Sequence, residues 1–406
     1  MNQTRTLLIF AWLMVAILLW MEWRKEANVE AAPEPPVAAD VQAGAVPSAA
    51  EAGGQGASVP SAPNVPVAPP AGPEAAVAQA AGAAPGERVT VTTDVLRLVL
   101  EKGNVVDAAL LQYPQSRDED SPPVKLFDTD PARWYAAQSG WVSQAHAAPT
   151  HEAGFVAEGG EREYRATGEG QEVSVPFIWN GPEGVQIRRT FTVRPGSYAI
   201  DVQDTVVNAG GQPWQGYIYR QLSRVPPRIS RGMTNPESFS FNGATWYSDE
   251  GGYTRHPFAD FAEDGPLNLR ATESWIAILQ HHFFSAWIPR PEDQTTISVH
   301  TDGPRYLVRQ LGPGLSVAPG QQASLEARLL VGPKLVDQIK AQDVRGLDRA
   351  IDYSRFSAMA FLGEWLFWLL DKIHGLVKNW GWAIVGLVVV VKLALYPLSA
   401  AQYKSM

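Results

Sequence analysis

Apolar positions crowd the two ends of this 406-residue chain, and the pattern between them changes twice. Leu7 to Met21 is an unbroken apolar run; with Thr6 and Trp23 it is about long enough to cross a bilayer core. Arg5 precedes it while Arg24 and Lys25 follow, so flanking charge orients it only weakly. Residues 1–25 read as an N-terminal transmembrane signal anchor with its N-terminus in the cytoplasm. The other reading is a cleavable signal peptide processed near Val29-Glu30-Ala31; the length of the run and its Trp-bearing end favour the anchor. Residues 26–87 are rich in Ala, Pro, Gly and Val, with no Lys, Arg or aromatic residue. Such a segment buries too little apolar surface to offset its ordering entropy, which predicts a disordered linker. As a coil it spans roughly 40–50 Å root-mean-square.

From Arg88 the period becomes two. Val173, Val175, Phe177 and Trp179 alternate with polar neighbours, as do Val185, Ile187, Phe191 and Val193, and Tyr198, Ile200 and Val202 continue the pattern. Asn180–Gly184 and Arg194–Ser197 supply turns, so this stretch predicts an antiparallel meander with one buried face. Further strands are predicted at Arg88–Leu100, Val105–Tyr113, Trp214–Arg224, Glu273–Ile288, Thr295–Thr301, Arg305–Leu311 and Ser324–Val331. Together they describe a large antiparallel β-sandwich over residues 88–353, closed by a helical piece from Pro333 to Tyr353.

The last fifty residues return to a helical period. Over residues 356–379, Leu362, Leu366, Leu369, Ile373 and Val377 share one face, opposite Glu364, Asp371, Gly375 and Lys378. This predicts an interfacial amphipathic helix, with packing on the β-domain as the alternative. Residues 380–398 are nearly all apolar, long enough to span, and end at Pro397; residues 399–406 then begin a cytoplasmic region. Lys392 interrupts that run about 12 residues, or roughly 18 Å, past Trp380. A charge at that depth costs roughly 2.5–3.5 kcal/mol unless it meets water or a partner. Two readings stay open: a lysine snorkelling to the interface, or a cation facing a polar cavity.

Composition removes several classes. A net charge of −9 gives no basic footprint for nucleic acid. The absence of cysteine removes disulfides, thiolate nucleophiles and Cys-based zinc sites. No nucleotide, hydrolase or metalloprotease motif is present, so no cofactor or metal is expected and the chain does not read as an enzyme. His281 and His282 fall in one predicted strand and so point to opposite faces. In the loop 248–264, His256, Asp260 and Glu263 have a spacing that suits a cation, but a solvated acidic loop explains them more simply.

Asn379-Trp380-Gly381, Tyr396-Pro397-Leu398 and Ala401-Gln402-Tyr403-Lys404-Ser405-Met406 resemble the first core transmembrane segment of the YidC/Oxa/Alb membrane-insertase family. The upstream layout resembles the Gram-negative type: an anchor, a variable linker, and a periplasmic super-sandwich entered near Val89 and left near Asp352-Tyr353, with Gly332-Pro333 before its closing helix. The resemblance implies an inner-membrane, multi-pass insertase and chaperone whose partners are nascent membrane proteins, the Sec translocon and the phospholipid bilayer. It also implies a hydrophilic groove in the inner leaflet holding a basic residue, usually Arg, at the position of Lys392. Lysine keeps the charge and loses the bidentate fork. Family members continue with a cytoplasmic hairpin and four more spans, so on that pattern the chain reads as C-terminally truncated. The rival reading is a membrane-anchored periplasmic sugar-binding or glycan-processing protein. A third is a scaffold that docks translocon subunits through the sandwich.

Overall fold

The computed structural model describes residues 59–60 and 87–404, except 117, 119, 167, 169, 229–236, 238–239, 263–266 and 352–356. The expected anchor (1–25) and nearly all of the expected linker lie outside the described residues, as do Asp352 and Tyr353 at the expected domain end.

Strands β1 to β5 span Arg88–Thr93, Leu96–Glu101, Asn104–Pro114, Pro123–Phe127 and Tyr135–Val142. Strands β6 to β10 span Val156–Ala157, Glu163–Ala166, Val173–Asn180, Val185–Val193 and Ala199–Asn208. Strands β11 to β15 span Trp214–Arg224, Gly243–Ser248, Gly252–Pro257, Leu269–Ala271 and Trp275–Leu279. Strands β16 to β19 span Phe283–Pro289, Thr295–Asp302, Arg305–Val317 and Gln322–Pro333. Among the described residues they form two sheets. One has ten strands in the order β14-β17-β18-β11-β5-β3-β2-β1-β7, with β4 added on β3; the other has nine, β13-β12-β15-β16-β19-β10-β9-β8-β6.

The meander β8–β9–β10 follows the period-two pattern, pairing Val175 with Phe191 and Val202 with Phe191 across its two ladders. Its inner face meets the inner face of the ten-stranded sheet in one core, where Ile187, Phe177 and Ile200 join Trp141, Leu98 and Ile218. The same phase carries Arg189 into the core, a charged position that the apolar count passes over.

Four expectations change. The sandwich is not wholly antiparallel: β7 lies parallel to β1, pairing Thr90 with Glu163 through Thr93 with Ala166. The β2 hairpin already occupies one side of β1, and β7 joins the free side after the chain has visited the other sheet at β6. Arg88–Leu100 is two strands, because Thr93 Oγ1 accepts the Val95 and Leu96 N–H groups at 3.2 and 2.9 Å and turns the chain. Glu273–Ile288 is likewise the hairpin β15–β16, closed by Gln280 N–H to the Phe283 carbonyl at 2.9 Å. His281 and His282 therefore sit on a turn, where strand alternation does not apply, and their ring centroids are 3.9 Å apart. The closing piece is not one helix: it is α1 (Val336–Lys340) and a 3-10 turn at Leu347–Ala350. Ile339, Leu347 and Ala350 cover Trp275, Tyr247 and Phe284 in a second apolar cluster. Gly346 between them has a positive φ of 73° and lies so close to Tyr247 that a Cβ would meet its ring at 2.3 Å.

Candidate functional site

Two helices follow the sandwich in the chain, α2 (Ser357–Val377) and α3 (Trp380–Lys404). Their corner is built from local signals. Lys378 takes a left-handed φ of 52° and donates its N–H to the His374 carbonyl at 2.6 Å, closing α2. Asn379 then caps α3, its Oδ1 accepting the Trp382 N–H at 3.2 Å. His374 stacks on Trp380 with ring centroids 3.7 Å apart and planes 9° from parallel. The cap was readable in the sequence as an Asn before the apolar run; the stack was not, because it joins two different helices.

Small residues let the helices close. Ala383 is wholly buried, and a Cβ placed on Gly386 would lie 3.1 Å from Ile373 Cγ2. The five residues expected on one apolar face of α2 divide accordingly. Leu366, Leu369 and Ile373 are half-buried, with Ile373 against Gly386, while Leu362 and Val377 are exposed. Trp365, Trp368 and Leu376 are exposed as well. The apolar surface of α2 is thus wider than the five-residue stripe, and part of it is taken by α3.

Among the described residues, α3 is the one helix long and apolar enough to cross a membrane, with a mean hydropathy of 1.7 over Trp380–Pro397. Ile384, Val388, Val389 and Leu393 are all exposed on it. Pro397 does not end this helix, which runs on to Lys404. A proline removes its own N–H, here the donor to the Leu393 carbonyl, and the remaining bonds of the turn carry the helix past it. Lys392 is exposed. It follows Ala383 by nine residues, about two and a half turns at 3.6 residues per turn, so it points away from α2.

In the sandwich, no group of His, Asp and Glu among the described residues is placed to hold a metal ion. Residues 252–257 are strand β13 and Phe258–Ala262 is a 3-10 turn, so most of 248–264 is ordered edge structure. His256 is buried between the rings of Trp246 and Phe261, at 5.7 and 4.8 Å. Glu263 and Asp264 lie outside the described residues. Asp249 is held by the Thr272 hydroxyl and backbone N–H, which keeps its carboxyl below the usual range.

Clefts indent the sandwich, two of them set apart by their linings. The larger, about 920 Å³, is laced by its own ion pairs: Arg194 and Arg328 share Asp201, and Arg345 pairs with Glu273. The smaller, about 510 Å³, is lined by Trp134, Gln138, His151 and Arg305 among others. His151 is fixed from three sides. Its carbonyl accepts Asn104 Nδ2 at 2.7 Å, its N–H donates to Tyr219 Oη at 3.0 Å, and its Nδ1 lies 2.7 Å from the same oxygen. Burial holds the Tyr219 phenol protonated well above its usual range. Tyr219 Oη thus meets both the backbone N–H and the ring Nδ1 of His151, and the tautomer of the ring sets the direction of the second bond. Burial first, then Arg309 and Arg305, push His151 down to about 3, so the ring is neutral. No sequence spacing brings residues 104, 138, 151, 219 and 305 together; only the strand order does.

Residues 88–369 match the family model described as the YidC periplasmic domain. The membrane protein insertase YidC of Xanthomonas euvesicatoria pv. vesicatoria (strain 85-10) is 54% identical over 413 residues, covering 100% of this chain and 71% of that protein. The membrane protein insertase YidC of Stenotrophomonas maltophilia (strain R551-3) is 52% identical over 409 residues, covering 100% and 70%. Among solved structures, a galactose mutarotase-like protein from Lactobacillus casei ATCC 334 is similar at a TM-score of 0.40 and 8% identity, covering 60% of this chain and 99% of that one. The matched domain and the identity along the whole chain show that this protein belongs to the YidC family of membrane protein insertases.

Proposed function

We propose that this chain serves as an insertase and chaperone that inserts, folds and helps assemble integral membrane proteins, with or without the Sec translocon. In this reading it lies in the bacterial inner membrane. Residues 1–25 anchor it with the N-terminus in the cytoplasm, the sandwich is periplasmic, α2 rests in the headgroup layer and α3 spans. The observation that carries the reading is a single cation, Lys392, on the exposed face of an 18-residue apolar stretch. A charge kept in such a helix faces water or a partner rather than lipid tails. The groove that Lys392 serves admits the polar tail of a nascent membrane protein, and acidic residues in that tail are drawn to the ammonium. This lowers the cost of taking polar atoms below the headgroups. The adjoining apolar segment then partitions into lipid. A potential negative inside drives an acidic tail outwards by about 2.3 kcal/mol per charge per 100 mV. No bond is made or broken, so the activity is not enzymatic.

The test replaces Lys392 with Ala or Arg in the natural protein and follows insertion of a single-span substrate with an acidic translocated tail. Lys392→Ala is expected to slow insertion several-fold, Lys392→Arg to retain it, and a substrate with a neutral tail to be indifferent to both. Unchanged insertion by Lys392→Ala removes the charge from the mechanism.

A further inference from the structure

Arg189 is not alone between the sheets. Arg220 on β11 alternates in phase with Ile218 and Leu222, both in the core, and Gln310 on β18 stands directly across from it. Register partners point to the same face, so both side chains lie between the sheets, where Arg220 is 3% exposed and Gln310 2%. The Arg220 guanidinium carbon lies 6.0 Å from the ring centre of Trp287, on the other sheet. Burial pushes Arg220 down to about 10, so it stays charged at neutral pH. Neither its Nε nor its Nη2 has a partner among the described residues. Gln310 shows the complementary lack. The Thr295 hydroxyl donates to the Ala271 carbonyl at 3.3 Å, and the Ser274 hydroxyl then donates to Thr295 Oγ1 at 2.7 Å. Both oxygens are left to accept from Gln310 Nε2, at 2.8 Å for Ser274 and 3.0 Å for Thr295. That fixes the amide and turns Oε1 away from them, buried and without a partner. Asp293, 4% exposed in the turn after β16, accepts Arg290 Nη2 on Oδ1 at 2.9 Å and keeps Oδ2 buried without one. Asp293 is close enough for its charge to act on Arg220.

Unmet donors on one cation and unmet acceptors near it define the chemistry of what joins them. An anion would suit Arg220 but set Gln310 Oε1 and Asp293 Oδ2 against a negative charge. A metal cation would suit those oxygens but face the guanidinium. Water both accepts and donates, and one buried water makes about three hydrogen bonds. We propose that Arg220, Gln310 and Asp293 form an internal hydration site, where ordered waters accept from Arg220 Nε–H and Nη2–H and donate to Gln310 Oε1 and Asp293 Oδ2. Buried polar groups that lack partners are costly, and a few shared waters relieve all of these at once. The waters tie β11 and β18 of one sheet to the turn after β16 of the other, a joint that the side chains do not make directly. Ser274 and Arg290 also line the larger cleft, so the site lies against the floor of that cleft, which gives water its way in. The site depends neither on Lys392 nor on insertion.

The experiment is a crystal structure of the full chain at a resolution that shows single waters, with a second crystal soaked in sodium bromide. Discrete water peaks are expected within about 3.2 Å of Arg220 Nε and Nη2 and shared with Gln310 Oε1 and Asp293 Oδ2. Arg220→Met removes both donors and is expected to lose these waters. Gln310→Met is expected to lose the water at Oε1 and keep the one at Asp293. A solution measurement needs no core truncation. In the full chain in lipid nanodiscs, with arginine labelled at its nitrogens, the Arg220 Nε proton is expected to show magnetisation transfer from a long-lived bound water. Its signal is identified by its loss in Arg220→Lys. An anomalous bromide peak beside Arg220 would make this an anion site. Direct hydrogen bonds from Arg220 to Gln310 or Asp293 with no water between them would leave nothing for water to join. Either result, or an Arg220 Nε proton without transfer from water, would overturn the assignment.

Discussion

Arg189 and Asp204 face each other across β9 and β10 with neither side chain reaching solvent, joined by two bonds, Nε to Oδ1 at 2.7 Å and Nη2 to Oδ2 at 3.1 Å. The pair does more than neutralise itself. Arg189 Nη1 donates to the carbonyls of Gly103, in the β2–β3 turn, at 3.0 Å and Ser139, on β5, at 2.8 Å, both belonging to the opposite sheet's side, and the Phe155 ring lies 4.4 Å from the guanidinium carbon. One side chain therefore fixes how the two sheets sit on each other. An apolar side chain has no directional bonds with which to do this.

Removing one partner leaves a buried charge without its counter-ion, which costs roughly 3–5 kcal/mol. Asp204→Asn and Arg189→Met are each expected to lower stability by about that amount in denaturant unfolding followed by the buried tryptophans. The double variant Arg189→Met/Asp204→Asn is expected to lose less than the two single losses combined, because it strands polar groups rather than a charge. Strict additivity would mean that the two groups do not act as a pair.

His151 gives the sandwich a pH dependence of known sign. Its pKa is held near 3 in the folded chain and returns to about 6.5 when unfolded, so between those values the unfolded state binds the extra proton. Stability is complete above about pH 6.5 and falls as the pH drops towards 3. From pH 8 to pH 5 the loss from this one group is up to about 2 kcal/mol. His282 and His300 are shifted the same way by burial and add to the slope. In His151→Gln the slope between pH 8 and pH 5 is expected to flatten by about that amount; an unchanged slope would assign the dependence to the other histidines.

The division between what the sequence revealed and what it hid follows from the range of each interaction. The meander β8–β10 and strand β11 were legible because alternation is a property of neighbouring residues. The turn after Thr93 and the hairpin at Gln280–His282 were not: their apolar runs read straight through, and one hydroxyl or one pair of backbone groups breaks them. Arg189 was in phase with Ile187 and Phe191 all along, but a charged residue is assigned to the core only once Asp204 is known to face it. On the membrane side, Lys392 stood out as a charge in an apolar run. The division of the α2 face did not, because it depends on where Ala383 and Gly386 let the second helix approach.

That approach makes a geometric prediction. The chain has no cysteine, so an introduced pair reports only on itself. Ile373→Cys with Gly386→Cys is expected to form an intramolecular disulfide rapidly under mild oxidation in membranes, since the native Ile373 Cγ2 lies 3.1 Å from where the second Cβ falls. Leu376→Cys with Gly386→Cys is expected not to, because Leu376 is 88% exposed. Equal cross-linking of both pairs would mean that α2 rotates on α3 and has no fixed inner face.

The same background separates the two readings of Lys392. A snorkelling lysine reaches the interface through its long stem while its Cα stays among lipid tails. A groove lysine has water at the level of its own backbone. Shortening the side chain to cysteine removes the stem and leaves the location. In the groove reading, Lys392→Cys reacts with a small water-soluble maleimide added from the cytoplasmic side of inverted vesicles. Val389→Cys, about one turn away on the same exposed face, is expected to react too. Ala383→Cys, wholly buried on the opposite face, is expected to stay unlabelled until the protein is unfolded. In the snorkelling reading all three stay unlabelled in intact membranes, because thiolate formation and a charged reagent are both disfavoured among lipid tails. Labelling at 392 and 389 with protection at 383 would place water on the face of α3 turned away from α2, where a polar tail would have to enter. Protection at all three positions would leave Lys392 as an interface anchor and take the groove away from this helix.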